Sequence, residues 1–330
     1  MAGEIENKMN EKNRKQLAKV AYLYYIEEKN QEDIAKELGV YRTTVSRMLT
    51  KARMEGIVKI EIKDFDTNLF QLESYIREKY HLKQIDIVPN NNYETHAQLE
   101  EAVAGTAAAT IRQLLTDDMK VGISWGRALS KVVELLNPRQ LKGVTFFPMA
   151  GGPSHINARY HVNTLVYEMA RKFQGDCSFV NAIIVQENKE LASGIMASKY
   201  FESLRQNWQD VDLAIVGVGG HVDEANKQWL DMLTKQDFEV IAKSGAVGEI
   251  CCRFMDADGQ EILDELNERT IAIPFSELKA AKNSMAIAYG EEKVAAILAV
   301  LRKGYVNHLV TDYDTIMKVL ALDKDTKFSN

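Results

Sequence analysis

The period of the apolar positions changes along the chain and divides it. Near the N-terminus, Leu17, Val20, Ala21 and Tyr24 recur at i, i+3, i+4 and i+7, which predicts one amphipathic helix over about residues 11–28. Gln31 to Leu38 makes a second, short helix with Ile34, Ala35 and Leu38 inward. It stops at Gly39, a residue suited to the left-handed backbone at a helix end. A third helix is expected from about Arg42 to Glu55, with Val45, Met48, Leu49 and Ala52 on its core side. Gly56 to Lys63 then alternates like a two-faced strand and predicts a small wing. From Asp64 to about Tyr80 helical spacing returns, with Leu69, Leu72, Tyr75 and Ile76 on one stripe. That stripe has no obvious partner in its own domain, so pairing with another copy of the chain is expected. Gln84 to Val88 reads as a strand and Pro89 to Asn92 as a turn.

Beyond residue 95, short apolar runs alternate with helical stretches. The expected strands are Met119–Ser124, Val144–Met149, Ser178–Ile184, Val211–Val218, Gly248–Phe254, Ser284–Ala288 and Asn307–Thr311. Helices are expected at about 97–115, 161–174, 193–206, 225–233, 291–302 and 312–320. This alternation predicts a doubly wound, largely parallel α/β fold, whose ligands sit at the carboxyl ends of the strands. The domain reading is therefore a winged helix-turn-helix over 1–63, a connecting helix and turn serving oligomerisation over 64–92, and an α/β domain over 93–330. No Gly/Ser- or Pro-rich linker separates them, so rigid coupling is expected.

A length of 330 residues agrees with two domains. No apolar run approaches the roughly 18 residues needed to cross a bilayer. The opening MAGEIENKMNEKNRK lacks the apolar core of a secretory signal. Of three cysteines, two are adjacent (Cys251 and Cys252), giving neither a disulfide framework nor zinc-ligand spacing. A cytoplasmic protein without membrane contact, metal or cofactor is expected. The net charge of -6 hides an asymmetry: residues 1–63 hold 13 basic against 10 acidic residues, and the remainder 28 against 37. The N-terminal part is thus the end suited to a polyanion.

The outer face of the third predicted helix is Arg42, Thr43, Thr44, Ser46, Arg47 and Lys51. In a helix-turn-helix the later helix enters the major groove, and its N-terminal residues reach base edges. Arg42 and Arg47 can grip guanine or phosphate, while Thr43, Thr44 and Ser46 are short enough to let the backbone approach. Gln31 begins the second helix and is placed for a phosphate contact. Tyr24 is either such a contact or a half-buried core ring.

Four glycine-bearing segments fall at strand ends: Gly122-Ile123-Ser124-Trp125-Gly126-Arg127, Ala150-Gly151-Gly152-Pro153-Ser154-His155, Gly217-Val218-Gly219-Gly220-His221 and Tyr289-Gly290-Glu291-Glu292-Lys293. Glycines let backbone amides approach an anion, and a helix start adds partial positive charge. Arg127 and Lys293 can complete the neutralisation of a phosphate.

Four segments in this order, QEDIAKELGVYRTTVSRML (31–49), GISWGRALS (122–130), GAVGEICCRFMDADG (245–259) and EEKVAAILAVLRKGYVNHLVTDYDT (291–315), resemble the SorC/DeoR-type sugar-binding transcriptional regulators over nearly the whole chain. The resemblance implies an effector domain like the phosphosugar isomerases and deaminases. It also implies a tetramer that grips or releases an operator according to a phosphorylated sugar. Position by position it implies that Tyr24 and Gln31 assist DNA contact and that Trp125, Gly126 and Arg127 line the effector cavity. It further implies that Gly151 and Gly152 border that cavity, that Asp256 bonds sugar hydroxyls, and that Lys293 meets the phosphate. Gly122 and Ser124 stand in the same segment as Trp125. A deoxyribose-phosphate-responsive member of this family has a lysine just before the glycine pair, able to form an imine. Here that position is Ala150, which excludes an imine there and counts against deoxyribose phosphate.

Asp256, within Met255-Asp256-Ala257-Asp258-Gly259, is alternatively a turn that caps its own backbone. An isomerase or deaminase with an added DNA-binding domain is the competing function, since Asp256, Asp312 and Glu249 offer carboxylates for proton transfer. Sensing needs only differential affinity for two conformations. A helix-turn-helix joined to the pocket favours a sensor: a non-enzymatic repressor of a carbohydrate uptake or catabolism operon, a homo-oligomer acting on double-stranded operator DNA under control of a phosphorylated sugar or polyol.

Overall fold

The computed structural model describes residues 2–58, 66–90, 93, 95–153, 158–222 and 232–328, without the side chains of 2–12. The chain forms two compact units, residues 1–67 and 68–330. Among the described residues no helix is long and apolar enough to cross a membrane.

The first unit consists of α1 (Ala2–Tyr25), α2 (Gln31–Leu38) and α3 (Arg42–Met54). The Asn30 side chain caps α2 by accepting the Glu32 and Asp33 N–H groups, and Gly39 closes it at φ +65. Val20, Leu23, Ile34, Ala35, Val45 and Leu49 are buried together where the three helices meet. α1 starts nine residues earlier than periodicity predicts, because its first turns carry only Ile5 and Met9 as large apolar residues, too few to set a helical stripe. Of the expected wing, residues 59–63 lie outside the described set. Ile57 and Val58 pack against a second small cluster of Leu17, Ala21 and Ala52.

The second unit opens with α4 (Thr67–Lys79) and β1 (Gln84–Val88). It continues α5 (His96–Leu114), β2 (Lys120–Ile123), α6 (Arg127–Leu135), β3 (Thr145–Pro148), α7 (Val162–Phe173), β4 (Asp176–Cys177), α8 (Lys189–Ala197), α9 (Glu202–Gln209) and β5 (Leu213–Gly217). Then follow α10 (Lys235–Lys243), β6 (Gly248–Ile250), β7 (Arg253–Met255), β8 (Glu261–Ile262), α11 (Asp264–Glu268), α12 (Phe275–Ala280), β9 (Asn283–Ile287), α13 (Val294–Lys303), β10 (His308–Asp312) and α14 (Tyr313–Leu322). Seven strands form one sheet in the order β1-β10-β9-β5-β2-β3-β4, and every pair is parallel. The order turns between β2 and β5, since β3 and β4 run to one side and β9 and β10 to the other. Such a switch point leaves a crevice at the carboxyl ends of the strands.

Several expectations are corrected. The stripe of α4 does not wait for a second copy: Leu72 and Ile76 are buried in the core of the chain's own α/β unit, and β1 is an edge strand of its sheet. Beside them Lys79 pairs with Asp323 at 2.7 Å and Asp325 at 2.5 Å, and Tyr75 donates to Asp325 at 2.6 Å. Residues 178–184 form no strand. There the Asn163 side chain donates to Val180 O at 2.9 Å and accepts Val180 N–H at 3.1 Å, in place of a ladder neighbour. The helix expected over 193–206 breaks between α8 and α9, and most of the one expected over 225–233 lies outside the described residues.

Gly248–Phe254 is no single strand but a hairpin, β6 turning into β7 with Ile250 opposite Arg253. The two turn residues, Cys251 and Cys252, have φ of +55 and +62. That is the conformation of a type I′ turn, which Asn-Gly favours and side chains with an ordinary Cβ resist. Both cysteines are buried rather than alternating across a strand.

Candidate functional sites

β2 ends at Ile123, and Ser124 continues its line by donating its N–H to Ile215 O at 3.0 Å. The chain then turns at Gly126, whose φ of +132 suits glycine alone, and enters α6. No side chain caps α6, so the N–H groups of its first turn are open to a ligand. In front of them lies a cavity of about 280 Å3 at the carboxyl ends of β2, β5 and β9. Ser124, Trp125, Gly126 and Arg127 line one side, and Gly217 to Val222 the next. Glu249, Cys251, Tyr289, Glu292, Lys293 and, from α5, Glu100 complete it.

Two glycines in the wall are required by close approach. A Cβ on Gly219 would stand 2.0 Å from Glu249 Oε1, and one on Gly220 would stand 2.2 Å from Glu292 O. The backbones of Gly219 and Glu249 exchange hydrogen bonds at 2.9 and 3.1 Å, which presses the hairpin against the end of β5.

The electrostatics of the cavity are set by burial. Lys293 Nζ lies 5.4 Å from the Tyr289 ring, and among the described residues it makes no hydrogen bond or close ion pair. Desolvation pushes its ammonium below the ordinary lysine range, opposed by the Glu292 and Glu249 carboxyls. Arg127 Nε, by contrast, holds Glu100 Oε1 at 3.1 Å with its side chain 61% exposed. Glu249 is buried, which pushes its carboxyl up from 4.5 to about 7. The Cys252 N–H, donated to Glu249 Oε2 at 2.8 Å, and the nearby Lys293 oppose that rise. Burial, then the Glu100 charge, pushes the Tyr289 hydroxyl up to about 12. The Cys251 thiol is raised by burial and by Glu249, against a hydrogen bond with Ser124.

Of the residues expected from sequence, Ser124, Trp125, Gly126, Arg127 and Lys293 meet at this cavity. Gly122 does not: it is buried within β2, where a Cβ would strike Met149 Sδ at 2.1 Å. Gly151 and Gly152 stand elsewhere because they serve chain packing. Their N–H groups are taken by Ile271 O and Ala182 O, and a Cβ on Gly151 would lie 2.7 Å from Ile184 Cα. Gly152 borders a separate shallow hollow beside His161 and Asn163. Ala150 is buried and bridges to Ala272. Asp256 is also outside the cavity. Its carboxylate accepts the Asp258 and Gln260 N–H groups, each at 2.9 Å, closing the turn between β7 and β8. That turn packs on the C-terminal end of α13, where Tyr305 donates to Gly259 O at 2.6 Å and Arg302 approaches Ala257 O. Lys293 precedes the other end of this ten-residue helix, about 15 Å away at 1.5 Å per residue. The sequence alone gives Glu100 and Cys251 no role in the site, names Tyr289 only within the segment before Lys293, and offers Glu249 only as one of three carboxylates for proton transfer. The available signal was Glu249 as the lone charge in Ala246-Val247-Gly248-Glu249-Ile250-Cys251-Cys252.

On the first unit, Arg42, Thr43, Ser46 and Arg47 are exposed on one side of α3, and Thr44 is half-buried. Tyr41, 84% exposed, precedes α3 without capping it, which leaves that helix start open as well. Gln31 is half-buried at the start of α2. Tyr24 is half-buried too, its ring edge-on to Tyr25 at 4.9 Å and packed on the three-helix core.

The sequence matches the family described as "Putative sugar-binding domain" over residues 66–321. It is 35% identical over 302 residues to the sorbitol operon regulator of Klebsiella pneumoniae, covering 91% of this chain and 95% of that protein. The crystal structure of that full-length regulator superposes with a TM-score of 0.71 at 33% identity, covering 93% of this chain and 99% of the other. A transcriptional regulator from Streptococcus pneumoniae TIGR4 superposes with a TM-score of 0.77 at 53% identity, covering 79% of this chain and all of that one. The three-helix unit, the switch-point cavity and these likenesses together place the chain in the SorC/DeoR-type family of sugar-binding transcriptional regulators.

Proposed function

We propose that the cavity in front of α6 binds a phosphorylated sugar or polyol, and that its occupancy controls how the first unit grips an operator. The carrying observation is Lys293: a half-buried lysine that among the described residues makes no close ion pair, in a cavity that also holds an uncapped helix start. A phosphate dianion satisfies both. Arg127 flanks the phosphate, and Trp125, Tyr289 and Glu249 face the carbon chain. Asp256, Gly122, Gly151 and Gly152 are not part of this reading.

On the DNA side, Arg42 and Arg47 contact phosphates or guanine edges, Thr43, Thr44 and Ser46 let α3 approach the groove, and Gln31 and Tyr24 support it. The regulator represses a carbohydrate operon as a cytoplasmic homo-oligomer, a tetramer, whose symmetry matches a palindromic operator. It catalyses no reaction and needs no cofactor. One observation favours the enzymatic alternative: Glu249, held near neutrality beside Lys293, has the proton affinity of a general base.

Titration calorimetry with a panel of sugar and polyol monophosphates tests the reading. A member of the panel binds the wild-type chain and is recovered unchanged, and Lys293→Met weakens it about 30-fold, the loss of one charge-assisted contact. Undiminished affinity in Lys293→Met would remove Lys293 from the site; turnover of the compound would favour the enzyme.

A further inference from the structure

We infer that Thr315, seated on Asp312, is a positioning residue of the effector site: it holds the turn that presents Lys293 to the cavity. The inference rests on the phosphosugar reading and deepens it. Lys293 makes no close ion pair among the described residues, so its side chain goes where its backbone puts it. That backbone is a single 3-10 turn, Glu291–Lys293, between β9 and α13. No side chain caps the turn, and Gly290 enters it at φ +105, where any other residue would be strained. A three-residue turn entered through a glycine does not fix its own direction. Its neighbours must.

The carbonyl of Glu292 rests on Gly220, where a Cβ would stand 2.2 Å from it. Lys318 of α14 pairs with Glu291 at 2.6 Å, but these side chains are 49% and 81% exposed, and such a pair contributes little. The contact from Thr315 is different because it is buried. Gly290 donates its N–H to Thr315 Oγ1 at 2.8 Å. Thr315 and Asp312 are both buried where β10 passes into α14. Asp312 Oδ1 accepts the Thr315 N–H at 3.0 Å, and its Oδ2 accepts the Thr315 hydroxyl proton. A hydroxyl has one proton, so committing it to Asp312 leaves an oxygen lone pair for Gly290. A carboxylate acceptor makes the first bond strong, which fixes the rotamer that receives the second. Asp312, which the sequence offers for proton transfer, stands outside the cavity and engages both oxygens in this bracket.

The test is calorimetry on the full chain with pentose, hexose and hexitol monophosphates and inorganic phosphate. Thr315→Val keeps the volume but removes the hydroxyl, and should weaken the monophosphate that wild type binds about tenfold, the loss of one net hydrogen bond. Thr315→Ser keeps the hydroxyl and should stay within about threefold of wild type. Because Thr315 acts through Lys293, Thr315→Val should bring no further loss in the Lys293→Met background, whereas a general loosening of the fold would weaken both backgrounds alike. Asp312→Asn turns an acceptor into a donor against the Thr315 hydroxyl; it replaces Thr315→Val if that variant does not fold, and should give a loss of the same size. Wild-type affinity in Thr315→Val, failure of Thr315→Ser to keep it, or an equal loss in both backgrounds would overturn this inference and leave the phosphosugar reading standing. Undiminished affinity in Lys293→Met, or binding of none of these compounds, would overturn both.

Discussion

Glu249→Gln isolates what the buried carboxyl costs the empty protein. Gln keeps the shape and the acceptor for Cys252 N–H but cannot ionise. In the wild-type chain burial raises the carboxyl from 4.5 to about 7, so the folded state binds its proton more tightly than the unfolded state does. The contribution of this group is therefore fully present below about pH 4.5 and is lost as pH rises through about 7. At about 1.4 kcal/mol per pH unit of that displacement, the loss is about 3 kcal/mol, or roughly 6 °C in Tm for a domain of this size. Urea unfolding of both proteins at half-unit steps from pH 5 to 8 reads it directly. The two stabilities should diverge progressively, with the variant about 2.5 kcal/mol the more stable at pH 8 relative to their difference at pH 5, where part of the loss has already occurred. Parallel curves would refute the reasoning, and with it the picture of Glu249 as desolvated in the empty cavity.

Arg47→Ala should weaken operator binding by about 5- to 150-fold at fixed salt, checked by filter binding, while sugar-phosphate affinity measured by calorimetry stays unchanged. Gly151→Ala forces a Cβ against the Ile184 backbone and should cost about 1–3 kcal/mol in urea unfolding, with ligand affinity unaltered once the protein is folded. Asp256→Ala opens the turn between β7 and β8 and should cost about 1 kcal/mol by the same assay, again without effect on the ligand. Asp325→Ala removes the acceptor of Tyr75 and of Lys79 and should lower stability by about 2 kcal/mol, visible as a shifted urea midpoint with an unchanged slope.

The alternation of runs made the parallel sheet legible, because a strand covered on both faces must be apolar along its length. The chemistry of Gly126-Arg127 and Lys293 was legible too, since a glycine turn before a helix and a cation at a helix start carry their meaning locally. What failed was distance. Leu72 and Ile76 announced a buried face, but periodicity cannot say whether the cover is a second copy or a sheet completed by β10, more than 200 residues on. Asp256 lies seven positions after Glu249, and a continuous strand would have carried the chain on from the cavity edge. The reversal at Cys251-Cys252 instead sends it to the far end of α13, and two cysteines give no hint of a type I′ turn. Gly151 and Gly152 looked like an anion cradle for the reason that makes them good packing residues: both uses need a bare backbone. Glu249 stands out in the sequence only as one of three carboxylates fit for proton transfer, because sequence records a carboxyl but not its burial.

The account turns on whether ligand in the α6 cavity changes the hold of α3 on DNA. The most direct measurement is fluorescence anisotropy of the full chain on labelled promoter DNA at fixed salt, titrated with sugar and polyol monophosphates in parallel for wild type and Lys293→Met. One monophosphate should shift the wild-type DNA-binding curve and be recovered unchanged, while the variant binds the same DNA and ignores the compound. A shift that survives in the variant, or DNA binding indifferent to every monophosphate that calorimetry shows to be bound, would contradict it.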